Sequence, residues 1–131
     1  MRLLLDTHVA LWAVTDDRRL TPVARNLILD SANDVLVSAV TLWEIAIKHA
    51  LARGGPNAMP LSADEALGHF QASGYELLPI VPEHVLTVEK LPASHSDPFD
   101  RMLVAQALTV PLRLMTHDRR VAGYSDTIIL V

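Results

Sequence analysis

The run Leu3-Leu4-Leu5, followed at once by Asp6, constrains the fold more than any other stretch. It is apolar without alternation, so a strand formed from it belongs in a core with both faces covered. Sheets covered on both faces are parallel sheets flanked by helices. In an open sheet of that kind, ligands bind outside the carboxyl ends of the strands. Asp6 stands at such an end, and Thr7-His8 turns the chain into a helix.

The remaining chain repeats the alternation. Arg2 to Asp6 is the first strand, and His8 to Val14 a short helix with Leu11 and Trp12 on its apolar face. Thr21-Pro22 opens a helix, Thr as N-cap and Pro at the first helical position, running to about Ala32. Asn33-Asp34 is a turn, Val35 to Val37 a second strand, and Ser38 caps a helix over 39–52. That helix is apolar on much of its surface, which predicts extensive burial, and Gly54-Gly55-Pro56 ends it. Ser62 and Glu65 form a capping box for a helix to about Ala72, closed by Gly74. Then come a strand over Glu76 to Ile80, a helix over Pro82 to Lys90, a loop over Leu91 to Pro98 and a helix to Thr109. Leu112 to Met115 is a fourth strand, and Thr127 to Leu130 the last. Strands alternating with helices imply right-handed crossovers. The expectation is one α/β domain over residues 1–131, a parallel sheet of about five strands with helices on both faces.

Function classes narrow next. The chain has no cysteine, which excludes disulfides, thiolate metal sites and a Cys nucleophile, and suits the cytoplasm. The three N-terminal leucines are too few for a signal peptide, and no apolar run reaches membrane-span length. With 11 Lys+Arg against 15 Asp+Glu, the net charge of −4 argues against coating nucleic acid by bulk charge. It leaves room for a nuclease, because such an enzyme concentrates carboxylates around a cation.

Four acids are placed to meet. Asp6 and Asp118 end the first and fourth strands, Asp100 opens the helix before the fourth, and Glu44 lies inside the apolar helix after the second. In a doubly wound sheet all four face one rim, and a crevice opens there if the first and fourth strands are neighbours. Four carboxylates repel one another unless a cation joins them, and oxygen-only donors select Mg²⁺ or Mn²⁺. The chemistry that follows is hydrolysis of a phosphodiester. Each acid also has a plain structural role open to it. Asp6 and Asp100 can serve helix N-termini, Asp118 a turn, and Glu44 an ion pair with Lys48 one turn on.

The stretches LLLDTHVALW at 3–12, SAVTLWEIAIK at 38–48, LPASHSDPFDRMLVAQA at 91–107 and LMTHD at 114–118 carry a resemblance. The chain resembles a PIN-domain protein, and within that group a VapC-type toxin ribonuclease of a type II toxin–antitoxin pair. The resemblance implies a Mg²⁺- or Mn²⁺-dependent endoribonuclease whose acidic residues map onto Asp6, Glu44, Asp100 and Asp118. Thr116 matches a hydroxyl that orients the last acid or the attacking water, and Asp97 an outer-shell position or a helix cap. It implies a sheet with the first strand central, beside the fourth. It also implies a VapB-like antitoxin, a homodimer or toxin–antitoxin hetero-oligomer, and no membrane.

The basic residues are less specific. Arg101, Lys48 and Arg119 are the candidate RNA contacts, with Arg101 equally able to pair with Asp97. Trp12 and Trp43 are read as core side chains. His8, His95 and His117 are read as hydrogen-bond partners beside the crevice. Two other readings compete. An inert PIN-like module would bind RNA or protein without cutting, but would be expected to have lost an acid. A receiver domain needs an Asp ending the third strand and a late Lys, whereas this chain has Leu77-Leu78-Pro79-Ile80 and no Lys after Lys90.

Overall fold

A computed structural model describes residues 1–51 and 59–131, so the expected stop at Gly54-Gly55-Pro56, and Arg53 with it, lie outside the described residues. The order of elements is β1 (Arg2–Leu5), α1 (Thr7–Thr15), α2 (Pro22–Leu29), β2 (Asp34–Ser38), α3 (Ala39–Leu51), α4 (Ala63–Ala72), β3 (Glu76–Leu78), α5 (Pro82–Lys90), α6 (Pro98–Thr109), β4 (Arg113–Thr116), α7 (Arg119–Ala122) and β5 (Ile129–Leu130). The sheet has five strands in the order β3-β2-β1-β4-β5, every pairing parallel. β1 is central, and Leu5 lies opposite Val37 on one side and Met115 on the other.

The pleat divides the apolar run of β1 between two cores. Leu3 and Leu5 face a layer built by α1, α2 and α4, with Val9, Trp12, Ala24 and Phe70. Leu4 faces the opposite layer, with Leu103, Val104 and Ala107 of α6 and Val121 of α7. All three leucines are fully buried, each contributing about 1.5–3 kcal/mol of burial free energy. The alternating strand–helix pattern thus became three layers, as expected.

Local signals set most helix starts. The Thr21 and Ser62 side chains accept from the backbone N–H groups of Ala24 and Glu65, and Glu65 reaches back to Ser62. The Ser38 hydroxyl accepts from Val40 N–H at the start of α3. Two expectations need correction. α2 stops at Leu29 rather than near Ala32, because Asn33 donates its side-chain amide to Leu27 O and Asp30 accepts from Ala32 N–H. Trp43 is not a core side chain: it is 51% exposed and rests edge-on against Phe99 at 5.0 Å. Among the described residues no helix is long and apolar enough to cross a membrane.

Candidate active site

The carboxyl ends of β1 and β4 open into a crevice of about 510 Å³, whose lining includes Asp6, Asp100, Asp118, His95 and Asp97. Strand order puts it there. β1 and β4 are neighbours, while α1 leaves toward one face and α6 packs on the other, so the rim between them stays open.

Asp6 is the N-cap of α1 and is 5% exposed. Its Oδ1 accepts from Val9 N–H at 2.8 Å, and its Oδ2 from the Thr116 hydroxyl at 2.6 Å. Burial nevertheless raises its carboxyl above the usual range, outweighing those bonds and the histidines nearby. The Thr116 oxygen also accepts from Asp118 N–H at 3.1 Å, so one hydroxyl fixes the first acid by its side chain and the last by its backbone.

Asp100 sits in the first turn of α6, where Asp97 is the N-cap and accepts from the N–H groups of Phe99 and Asp100. Of the two roles expected for Asp97, helix capping is therefore filled. Burial raises the Asp100 carboxyl. The His95 hydrogen bond opposes that, and the negative charges of Asp97, Asp6 and Glu44 push it up further. Asp118 goes the other way. Burial raises it, but Arg120 outweighs burial through hydrogen bonds and charge and leaves the carboxyl below its ordinary value.

Glu44 differs from the other three. Its side chain is 4% exposed and outside the crevice lining. The Thr7 hydroxyl donates to its Oε1 at 2.6 Å, Thr41 bonds Thr7 in turn, and Lys48 pairs with its other oxygen. Three of these four acids line the crevice, with Asp97 beside them, and Glu44 stands outside the lining, close enough to act on Asp100 by charge.

The cations expected to meet RNA divide similarly. Lys48 is held by Glu44. The Arg101 guanidinium is neither paired with Asp97 nor directed at the crevice; it donates to the carbonyls of Val88, Leu91, Pro92 and His95 and to the Tyr124 hydroxyl. Arg119 lines the crevice, together with Arg120 and Arg19, which were not among the candidate RNA contacts. Arg19 lies 5.1 Å from the centre of the Trp12 ring, which His8 and His117 flank at 5.9 and 5.1 Å.

His95, read from the sequence as a hydrogen-bond partner beside the crevice, bonds the Asp100 carboxylate at 2.8 Å. It offers a nitrogen within 4.8 Å of carboxylate oxygens of Asp100 and Asp118, a spacing that could hold a metal ion. Its place in the HSDPFD block, five residues before Asp100, was the available signal.

Solved structures with this architecture include chains from VapBC2 of Rickettsia felis bound to a promoter DNA fragment (TM-score 0.71, 14% identity, 100% of this chain and 98% of that one). DNA-bound VapBC of Salmonella typhimurium (0.68, 16%, 100% and 97%) and a toxin–antitoxin complex from Klebsiella pneumoniae (0.65, 14%, 97% and 95%) are similar. At those identities the likeness concerns the fold. In sequence, the chain is 32% identical over 123 residues to Ribonuclease VapC22 of Mycobacterium tuberculosis (strain ATCC 25618 / H37Rv), covering 92% of this chain and 90% of the relative. The PIN domain family model matches residues 3–126, nearly the whole of the α/β unit and every acid of the rim, and the chain belongs to that family.

Proposed function

We propose that this chain is a divalent-metal-dependent endoribonuclease, the toxin of a type II toxin–antitoxin pair, formed as a single PIN domain over residues 1–131. The observation that carries the reading is the crowding of acids at one rim. Asp6 and Asp100 are both raised by burial, and Asp100 is raised further by the charges of three other acids. A bound divalent cation would relieve that crowding.

The donor set fits such an ion. Asp6, Asp100 and Asp118 would hold it, with Glu44 contributing charge from behind and Asp97 at the edge of the crevice. Oxygen donors of this kind suit Mg²⁺ or Mn²⁺. When bound, the ion supplies orientation of a phosphodiester, a more acidic water and stabilisation of the leaving oxygen. The chain's own residues do the rest. Thr116 holds Asp6 and Asp118 in register with one another. Arg120 pairs with Asp118 and lowers its carboxyl below the ordinary value. Arg119 lines the crevice beside the acids, where a phosphate backbone would lie, together with Arg19 and Arg120, which are paired with Asp17 and Asp118.

The relative named as a ribonuclease supports RNA as substrate. The likeness to chains of toxin–antitoxin complexes supports a VapB-like antitoxin and a toxin–antitoxin hetero-oligomer. On α2, Val23 and Leu29 are 62% and 73% exposed, an apolar surface of the kind a partner would cover.

The test is cleavage of total cellular RNA by antitoxin-free protein, with ends mapped in Mg²⁺, in chelator, and for Asp100→Asn. Discrete new ends that need both the metal and Asp100 are expected. Folded protein that gives no metal-dependent ends would refute the reading.

A further inference from the structure

The HSDPFDR block contains a device that the acid site does not account for. His95 has 4% of its side chain exposed and lies 2.8 Å from Asp100 Oδ2 through Nε2. Its other ring nitrogen, Nδ1, is buried with no hydrogen-bond partner among the described residues. A proton on Nδ1 would be a buried donor without an acceptor, so the ring proton belongs on Nε2. Nε2–H then donates to Asp100 Oδ2, which leaves Oδ1 of that carboxylate for another contact.

The loop carrying His95 is tied down by two side chains. Arg101 donates to the carbonyls of Pro92 (2.7 Å) and His95 (3.4 Å), and to those of Val88 and Leu91 at the end of α5. Its Nη1 also donates to the Tyr124 hydroxyl at 3.0 Å, and that hydroxyl lies 3.3 and 3.5 Å from the carbonyls of Pro92 and His95. The end of α5, the loop, α6 and the segment after α7 thus meet at one guanidinium. Fixed donors of this kind orient the groups that hold a metal, and losing one typically lowers metal affinity about 10–100-fold.

We propose that His95 is a positioning residue that aims the Asp100 carboxylate by donating from Nε2, and that Arg101 and Tyr124 hold His95 in place for it. Direct ligation by His95 is the competing arrangement within the same cluster. For Nε2 to bind an ion, its proton would have to move to Nδ1, where no acceptor lies among the described residues. A histidine that binds metal almost always donates its second N–H to a partner. The inference rests on the metal-dependent reading above.

The experiment measures Mn²⁺ affinity of the intact chain by calorimetry for wild type, His95→Leu, His95→Gln and Tyr124→Phe, with circular dichroism to confirm folding. Leu fills the space without a donor, whereas the Gln amide places an N–H near the Nε2 position. His95→Leu should weaken Mn²⁺ binding about tenfold or more. His95→Gln should restore most of it, and Tyr124→Phe should lose a smaller part. Pulsed EPR of the bound Mn²⁺ should show no coupling to an imidazole nitrogen. Equal affinity in His95→Leu and wild type would overturn the positioning role while leaving the metal site intact. A nitrogen coupling that disappears in His95→Gln would overturn it in favour of ligation. Wild type that takes up no Mn²⁺ would overturn the metal reading itself, and this inference with it.

Discussion

Asp100→Asn should make the metal-free protein more stable and the metal-loaded protein less stable than wild type. Asn keeps an acceptor for His95 and the shape of the first turn of α6, so the change removes mainly charge. Carboxylate oxygens of Asp100 and Asp118 come within 4.8 Å, where two unit charges repel by about 3.5 kcal/mol at an effective dielectric of about 20 and about 0.9 kcal/mol in water. The side chains are 21% and 33% exposed and Arg120 offsets Asp118, so the lower part of that range applies. Asp6, Asp97 and Glu44 add repulsion of the same sign. Against this, Asn forfeits about 0.3–1 kcal/mol of favourable interaction with the helix dipole. The net gain in chelator at neutral pH should be about 1 kcal/mol, or about 4 °C in Tm for a chain of this size.

The pH dependence follows from the direction of the shift. The folded Asp100 carboxyl titrates above its ordinary value, so the folded state holds that proton more tightly than the unfolded chain does. Its contribution to wild-type stability therefore falls as pH rises from the ordinary carboxylate range through the raised value. Below that interval Asp100 is protonated in both states and the advantage of Asn should vanish. With Mn²⁺ at ten times its Kd, wild type should gain about 1.4 kcal/mol and the variant little, which reverses the order. Thermal melts by circular dichroism, in chelator and in Mn²⁺, at neutral and mildly acid pH, check all four corners. A variant less stable than wild type in chelator at neutral pH would refute the repulsion argument and make Asp100 a structural residue.

Thr116→Val removes the hydroxyl shared by Asp6 and Asp118 N–H; it should cost about 1–3 kcal/mol in denaturant melts and weaken Mn²⁺ binding in the same protein. Among the described residues, Lys48→Met leaves the buried Glu44 carboxylate with the Thr7 hydroxyl alone. Because the lysine side chain is 43% exposed, the loss should be about 1–2 kcal/mol rather than that of a fully buried pair, and adding Glu44→Gln should recover part of it. Gly74→Ala should cost about 1–2 kcal/mol, measured by melting, from backbone conformation alone, since φ is +81° and nothing lies within 4 Å of the added methyl.

Elements whose cause is local were the legible ones. Thr21-Pro22, Ser62 with Glu65, and Pro82 mark helix starts because a cap or a fixed φ acts within one turn of chain. The strand core at Leu3 to Leu5 was legible for a similar reason: an unbroken apolar run has few places to go. Trp43 was misplaced because α3 is apolar around much of its circumference, and neighbouring helices decide which side is covered. Arg101 was misjudged because its partners are carbonyls of another helix end and a hydroxyl 23 residues away, groups that leave no pattern in sequence.

By itself, then, the sequence determined a parallel α/β sheet, the caps of its helices and four acids expected near one rim, since periodicity, capping and charge act over a few residues. Only the tertiary structure decided where those acids lie and what they touch. Setting β1 between β2 and β4 brings Asp6 and Thr116 together across 110 residues, leaves Glu44 behind the crevice with Lys48, and adds His95 to it. Those outcomes depend on which strands pair and which helix faces are covered, interactions between residues far apart in the chain that no local stretch encodes.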